Sequence, residues 1–310
     1  MILIQGNKKQ IAKRLLQAIP PAEHFYDLFG GGGSMTEVAI TTNKWSHVHY
    51  NELQQGLYQL MKEVWEGTFD IHKAETTWIS REDFKKFKDE PTAWGAWVKY
   101  GWSFSGCGSA YLYTPTFEVL KYSLFIIFTQ GMDWLPSMCM HEKQLLWQKV
   151  WRYASKLYGI YRHGVSSKDG TPYKRSGEVN SKCNMLDIIY RTPKLFEFDY
   201  TRLQTSCGDY RNVEILPNSV VYCDIPYGKG SYYTEPFDRQ AFLDWAATRL
   251  FPVYISEYNI DDARFQEVLS ILKHKGNIIS TPESNKGYSR VEKLYWNGVG
   301  VRGEELGVRS

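Results

Sequence analysis

The feature that most limits how this chain can fold is a run of four glycines, Gly30 to Gly33, with a strand pattern before it and a helix pattern after it. Phe25-Tyr26-Asp27 reads as the end of a strand, a helix is expected to open near Ser34, and Ser46 to Tyr50 reads as a second strand. Strand, glycine turn, helix and strand in that order are the opening of an open α/β sheet. Glycines at such a turn let a ligand approach backbone N–H groups and a helix N-terminus without obstruction by Cβ atoms. A merely flexible turn would carry the same entropic cost with nothing to offset it.

The residues around the turn narrow the ligand. A dinucleotide site wants GxGxxG directly after the strand and a Walker loop wants GK[ST]; Gly33-Ser34-Met35 supplies no lysine. Asp27 would repel a phosphate but can pair with an ammonium, and S-adenosylmethionine carries one beside its cationic sulfonium. Glu52, at the end of the second strand, sits where an acidic residue accepts from ribose hydroxyls in nucleoside-binding sheets.

The rest of the chain extends this sheet and interrupts it. A basic helix is predicted from about Lys8 to Ala18, with Ile11, Leu15, Leu16 and Ile19 on one side, ahead of Pro20-Pro21. After Asn51-Glu52, the spacing of Leu53, Leu57, Leu60, Met61, Val64 and Trp65 predicts an amphipathic helix. Between about Asp70 and Pro193, aromatic helical stretches alternate with loops and strand signals are sparse, as in an insertion. Strands return at Val220 to Cys223, Val253 to Ile255, Asn277 to Ile279 and Arg290 to Trp296. The expected organisation is a discontinuous α/β domain, residues 1–68 and 194–310, split by a mainly helical insertion, residues 69–193.

Composition excludes more than it selects. With 310 residues the chain can bury a core without disulfides, and its five cysteines show no metal-ligand spacing. The N-terminus has no basic segment followed by a long apolar one, and Leu124 to Phe128 is too short to span a bilayer, so a cytoplasmic location is expected. A formal net charge of +3 is a weak argument for a polyanionic partner.

Asp224-Ile225-Pro226-Tyr227 follows an apolar strand, and open α/β sheets carry their reactive groups at that end. An adenine N6 amine is a poor nucleophile because its lone pair is conjugated with the ring. The Asp224 carboxylate and the Ile225 carbonyl could accept its two hydrogens, with Pro226 fixing the direction of that carbonyl and Tyr227 stacking on the base. In isolation a strand-terminating turn explains the same four residues equally well.

Taken together, these residues resemble the Dam-like N6-adenine DNA methyltransferases, in the alpha group, where the cofactor motif precedes the catalytic motif and target recognition lies between. Gly6-Asn7-Lys8 is similar to the family's N-terminal Gly-Gly-Lys, which implies that Lys8 lies near the cofactor. Asp27 to Ser34 is similar to Glu-Pro-Phe-x-Gly-Gly-Gly-Ser, which implies that Asp27, Phe29, Gly31, Gly33 and Ser34 line the cofactor. Asn51-Glu52 resembles the Asn-Asp ending the second strand. Cys207-Gly208-Asp209-Tyr210 resembles the motif before the catalytic strand, which implies that Asp209 meets the cofactor's adenine amine and Tyr210 its ring. Asp224 to Tyr227 is similar to Asp-Pro-Pro-Tyr, with Ile225 in place of the first proline. Tyr233-Thr234 and Phe237 resemble residues downstream of that motif, and Gly101 to Tyr113 loosely resembles a segment beside the flipped base. The fold implied is a Rossmann-like S-adenosylmethionine-dependent methyltransferase sheet with an inserted, mainly helical target-recognition domain.

Double-stranded DNA is the partner this resemblance implies, and a paired adenine must then be extruded at a cost of a few kcal/mol. Tyr161 to Lys182 is basic and reads as a loop or hairpin. Within it Arg162 and Arg175 could read guanine edges, and Lys168, Lys174 and Lys182 could meet phosphates. On its composition alone a solvated charged loop is the simpler reading. Two alternatives stand beside the DNA methyltransferase: a catalytically silent DNA-binding relative, and an N-methyltransferase acting on RNA adenine or protein glutamine.

Overall fold

The computed structural model describes residues 8, 10–113, 115, 118, 122, 125, 163–165, 172–174, 200–226, 237–272 and 291–301. The chain begins with α1 (Ala12–Ala18), β1 (Ala22–Asp27), α2 (Ser34–Thr41), β2 (Trp45–Glu52) and α3 (Gln55–Glu66). Three helices follow, α4 (Ile71–Thr76), α5 (Arg81–Phe87) and α6 (Ala93–Gly101), then a short pair of strands, β3 (His163–Val165) and β4 (Pro172–Lys174). The C-terminal part supplies β5 (Leu203–Cys207), β6 (Ser219–Cys223), α7 (Arg239–Ala247), β7 (Val253–Glu257), β8 (Gln266–Leu272) and β9 (Val291–Trp296).

Seven of these strands form one sheet in the order β5-β2-β1-β6-β7-β9-β8. The first five are parallel, and β9 runs antiparallel to both β7 and β8. The chain builds outward from β1 to β2 to β5, then returns to the other side of β1 to lay down β6. The strand order therefore reverses between β1 and β6, which is where open α/β sheets bind their ligands.

Alternation along the strands sorts side chains onto two faces. On one, Phe25, Val48, Val220, Tyr222, Tyr254 and Leu294 pack with residues of α1 and α2 such as Leu15, Leu16 and Met35. On the other, Tyr26, Val221, Cys223, Val253 and Ile255 pack with Phe242, Leu243 and Ala246 of α7. The strands β6 and β7 are buried along their whole length, as near-continuous apolar runs require. A third cluster joins Leu57, Leu60, Met61, Val64 and Trp65 of α3 to Ala93, Ala96 and Trp97 of α6.

The start of α3 differs from the sequence reading. The helix begins at Gln55, and Leu53, counted on its apolar side, lies before it and is 64% exposed. Likewise α1 starts at Ala12, and Lys8 precedes it, its carbonyl accepting from the N–H groups of Ile11 and Ala12. The basic segment contains a hairpin: His163 pairs with Lys174 and Val165 with Pro172. The strand expected at Asn277 to Ile279 lies outside the described residues, as does most of Leu124 to Phe128; Phe125 is buried against Trp78.

Candidate active site

The glycine turn is shaped by aromatic side chains from β2 and α3. Gly31 and Gly33 adopt positive φ angles of 51° and 74°, a region that disfavours side chains. A Cβ at Gly30 would lie 2.1 Å from the Tyr50 ring, and one at Gly33 would lie 2.6 Å from Met61 and 2.8 Å from Trp65. The Tyr50 hydroxyl donates to the Gly31 carbonyl at 2.7 Å, and the Gly30 N–H donates to the Asn51 carbonyl at 2.9 Å. The turn is thus pressed onto the sheet, and α2 leaves it at Ser34.

Buried polar atoms gather at the mouth of this turn. Asp27 is 1% exposed; its Oδ2 accepts from the Thr36 hydroxyl at 2.8 Å, while Oδ1 has no hydrogen-bond partner among the described residues. The buried Ser34 hydroxyl also has none among them. Burial pushes the Asp27 carboxyl up to about 7, with Asp224 and Glu52 adding to the rise and the Thr36 hydrogen bond opposing it. A native fold rarely leaves a buried acceptor unpaired, so Oδ1 is a place for a donor that none of the described residues supplies. Glu52 is buried too, and burial raises its carboxyl against the pull of the N–H groups of Gln54 and Gly31, which donate at 2.8 and 2.9 Å.

Asp224 lies just past β6, on the strand next to β1. Asp27 pairs with Tyr222 in the β1/β6 register, so the two carboxylates stand at the same end of adjacent strands. The Lys8 ammonium donates to Asp224 Oδ1 at 2.7 Å and lies 3.3 Å from Glu292 of β9. Ser256 of β7 donates to the same Oδ1 at 3.2 Å, and the Tyr222 hydroxyl donates to Ser256 at 2.8 Å. Burial raises the Asp224 carboxyl and Glu292 adds to the rise, while Lys8 and Ser256 oppose it. Burial pulls the Lys8 ammonium down, but Asp224 and Glu292 outweigh it and leave it above its ordinary value.

A third group flanks the turn. Phe29 lies 5.3 Å from the Tyr210 ring and edge-on to Phe237 and Phe242, and Tyr210 packs edge-on against Phe242 and Trp245. Asp209 accepts from the backbone and guanidinium of Arg211, which holds its carboxyl below the usual range. Gly208 donates to the Glu52 carbonyl at 3.2 Å, joining the turn after β5 to the end of β2.

The structure therefore brings Lys8, Asp27, Phe29, Gly31, Gly33, Ser34, Glu52, Asp209, Tyr210 and Asp224 to the carboxyl ends of β1, β2, β5 and β6. Ile225 is 1% exposed and packs with Tyr26, Leu28 and Ile255, so its side chain fills core space that proline would fill less fully. Tyr227, Tyr233 and Thr234 lie outside the described residues, as do Arg162, Lys168, Arg175 and Lys182; of the DNA set only the backbone of Lys174 is described, in β4. Sequence reasoning missed Ser256 and Glu292. A serine and a glutamate within strand patterns look like solvent-facing residues, and only the sheet order aims them inward.

Among the described residues no helix is long and apolar enough to cross a membrane, and no cluster of side chains could hold a metal ion. Residues 5–95 match the family model of the D12 class N6 adenine-specific DNA methyltransferases. A search of curated proteins found no match. The matched stretch includes Lys8, the glycine turn and Glu52, and the seven-stranded sheet is consistent with a methyltransferase fold. Methyltransferases of this family use S-adenosylmethionine, and the family implies DNA adenine methylation.

Proposed function

With its N-terminal part matched to the D12 class adenine-specific DNA methyltransferases, we propose that this chain transfers a methyl group from S-adenosylmethionine to the N6 amine of an adenine flipped out of double-stranded DNA. The observation that carries the reading is the pair of carboxylates, buried Asp27 and partly exposed Asp224, at the same end of neighbouring strands where the strand order reverses. One suits a cofactor's ammonium and the other the reacting amine.

The residues fit S-adenosylmethionine. Oδ1 of Asp27 and the Ser34 hydroxyl are buried polar atoms without partners among the described residues, and the turn at Gly30 to Gly33 has no room for a Cβ at two of its positions. Asp27 would hold the ammonium and Glu52 the ribose, with Asp209 at the adenine amine and Phe29 and Tyr210 along its ring. Gly31, Gly33 and Lys8 complete the lining. The bound cofactor supplies an electrophilic methyl group on a positive sulfur.

Catalysis then falls to acceptors aimed at the nitrogen. The Asp224 carboxylate and the Ile225 carbonyl each accept one N6 hydrogen, which draws the nitrogen towards tetrahedral geometry and stabilises the charge that develops on it. Pro226 directs that carbonyl, and Tyr227 stacks on the base. Asp224 need not be a strong base, because the amine becomes acidic as it is methylated. Residues 1–68 and 194–310 form the catalytic domain in this reading, and 69–193 the target-recognition insertion. Arg162, Lys168, Lys174, Arg175 and Lys182 meet the duplex and offset the cost of extrusion.

The test is transfer of a radiolabelled methyl group from S-adenosylmethionine to duplex DNA, RNA and a glutamine-bearing protein, followed by digestion to identify the modified base. N6-methyladenine in the DNA is expected, with Asp224→Ala abolishing transfer while cofactor binding stays measurable by calorimetry. Undiminished transfer by that variant would remove Asp224 from the mechanism. Label in RNA or protein alone would replace the substrate, and label in none would leave a DNA-binding relative.

A further inference from the structure

Two arms converge on one oxygen of the Asp224 carboxylate, and each draws on a residue, Ser256 of β7 or Glu292 of β9, that no motif of the sequence marks. The first arm runs from the Tyr222 hydroxyl to Ser256 at 2.8 Å and from Ser256 to Asp224 Oδ1 at 3.2 Å. The second runs from Glu292, wholly buried in β9, to the Lys8 ammonium at 3.3 Å and from Lys8 to the same Oδ1 at 2.7 Å.

The topology explains how Glu292 reaches the site. Because β9 is antiparallel to β7, its N-terminal end lies beside the carboxyl ends of the parallel strands. Ser256 pairs with Leu294 in that register, so Ser256, Leu294 and Glu292 share a face. A glutamate with no exposed surface is costly unless paired, and Lys8, itself 1% exposed, is the cation that compensates it.

We infer that Glu292 and the Tyr222–Ser256 pair are positioning residues for the Asp224 carboxylate, fixing its orientation through one oxygen and balancing its charge through Lys8. This rests on the reading of Asp224 as the acceptor for the amine. A carboxylate anchored at Oδ1 by two donors from different elements cannot rotate without breaking both, which holds its acceptor geometry ahead of substrate binding. Among the described residues, the other titratable groups that face it include Asp27 on β1, Cys223 on β6 and, through Asp27, Glu52 on β2.

Glu292 and Ser256, one from each arm, act on Asp224 with opposite sign. Glu292 is a like charge and disfavours the ionised form, whereas the Ser256 hydroxyl donates to that form and favours it. Removing the charge with Glu292→Gln should therefore lower the titration midpoint of Asp224, and Ser256→Ala should raise it, each by about one unit. Tyr222→Phe, acting only through Ser256, should move it in the same direction as Ser256→Ala and by less.

The experiment is a carbon-13 NMR titration of the Asp224 side-chain carboxyl in aspartate-labelled full-length protein, assigned by its loss in Asp224→Asn. It runs beside the pH profile of single-turnover methyl transfer to duplex DNA. Opposite displacements of the Asp224 midpoint in Glu292→Gln and Ser256→Ala, mirrored in the acidic limb of the rate, are expected, with Glu292→Asp keeping the parent profile. Midpoints that coincide with the parent in every variant overturn the inference while leaving the methyltransferase reading in place. NMR displacements as expected, with no transfer by the parent protein, uphold the positioning network and sink the proposed reaction. If Glu292→Gln does not fold, the Ser256 and Tyr222 variants decide alone.

Discussion

The Asn51 side-chain amide donates to the Gly208 carbonyl at 2.9 Å, a hydrogen bond between residues 157 positions apart. The same amide donates to the Leu28 carbonyl at 3.1 Å, and its oxygen accepts from Ser206 at 2.9 Å. One buried side chain at the end of β2 thus ties the turn after β1 to the turn after β5. The two halves of the proposed cofactor pocket come from opposite sides of the proposed insertion, and Asn51 is where they are fastened. Asn51→Leu keeps the volume but leaves two carbonyls without their donor. A loss of about 2–4 kcal/mol in urea unfolding is expected. A cofactor affinity at least tenfold weaker by calorimetry should accompany it, and an unchanged affinity would mean that the pocket closes without this tie.

Asp27 couples cofactor binding to pH. Its carboxyl titrates at about 7 in the folded chain, and only its ionised form pairs with an ammonium. Affinity for S-adenosylmethionine should therefore rise as pH increases through 7 and fall roughly tenfold per unit below it. Stability runs the other way. A carboxyl raised above its unfolded value binds its proton more tightly when folded, so its contribution is full at low pH and is lost as pH climbs from about 4 to 7. Asp27→Asn should accordingly weaken binding, flatten its pH dependence, and raise the melting temperature of the ligand-free protein at pH 8. Calorimetry and thermal melts across pH 5.5 to 8.5 check both signs.

What could be read in the sequence followed from how much each element owes to local pattern. The strands β6 and β7 are apolar runs buried in the middle of the sheet, β1 ends in the buried Phe25-Tyr26 just ahead of the glycines, and α3 carries its stripe from Leu57 to Trp65, so local pattern announces them. The strands β5 and β8 were not legible. Leu203-Gln204-Thr205-Ser206-Cys207 and Gln266 to Leu272 lie at the two sheet edges, largely exposed, and β8 is broken by a register shift between Glu267 and Leu269. Edge strands need little apolar surface, so neither alternation nor hydrophobicity marks them. In the candidate site, Asp27, Glu52 and Asp224 were legible because each ends a buried strand. Ser256 and Glu292 owe their place to sheet order, and nothing local in the sequence expresses that.

The glycine turn offers a test of which constraint dominates, space or backbone angle. Gly30 has no positive φ, but a Cβ there would overlap the Tyr50 ring at 2.1 and 2.2 Å. Gly31 has a φ of 51°, yet a Cβ there meets nothing closer than the Phe29 carbonyl at 3.9 Å. Gly31→Ala should cost about 1 kcal/mol, the ordinary penalty of a left-handed residue. Gly30→Ala must displace a ring that is buried and hydrogen-bonded to Gly31, and should cost about 2–4 kcal/mol with most of the cofactor affinity. Equal losses in urea unfolding would show that Tyr50 yields readily.

Three histidines on the far side of the turn set a different pH response. His24 of β1 faces His47 and His49 of β2: His24 Nδ1 lies 3.0 Å from His49 Nε2, and the His24 and His47 rings stack at 5.0 Å. His49 also lies flat on Tyr26, with centroids 3.9 Å apart. Burial pushes His49 down to about 4, and its two histidine neighbours lower it further. Its folded value is below its unfolded one, so the unfolded chain takes up the proton first as pH falls. The stabilisation is complete above about 6.5 and is lost as pH drops towards 4. Because His49 is partly exposed, about 1–2 kcal/mol is expected rather than the full shift. Asp27 titrates across an overlapping range with the opposite sign, so the parent protein alone cannot separate the two. His49→Phe keeps a ring on Tyr26 and removes the proton site. The difference in urea midpoint between parent and variant should shift in the variant's favour between pH 7.5 and pH 4.5, and a difference independent of pH would mean that the cluster carries no proton-linked strain.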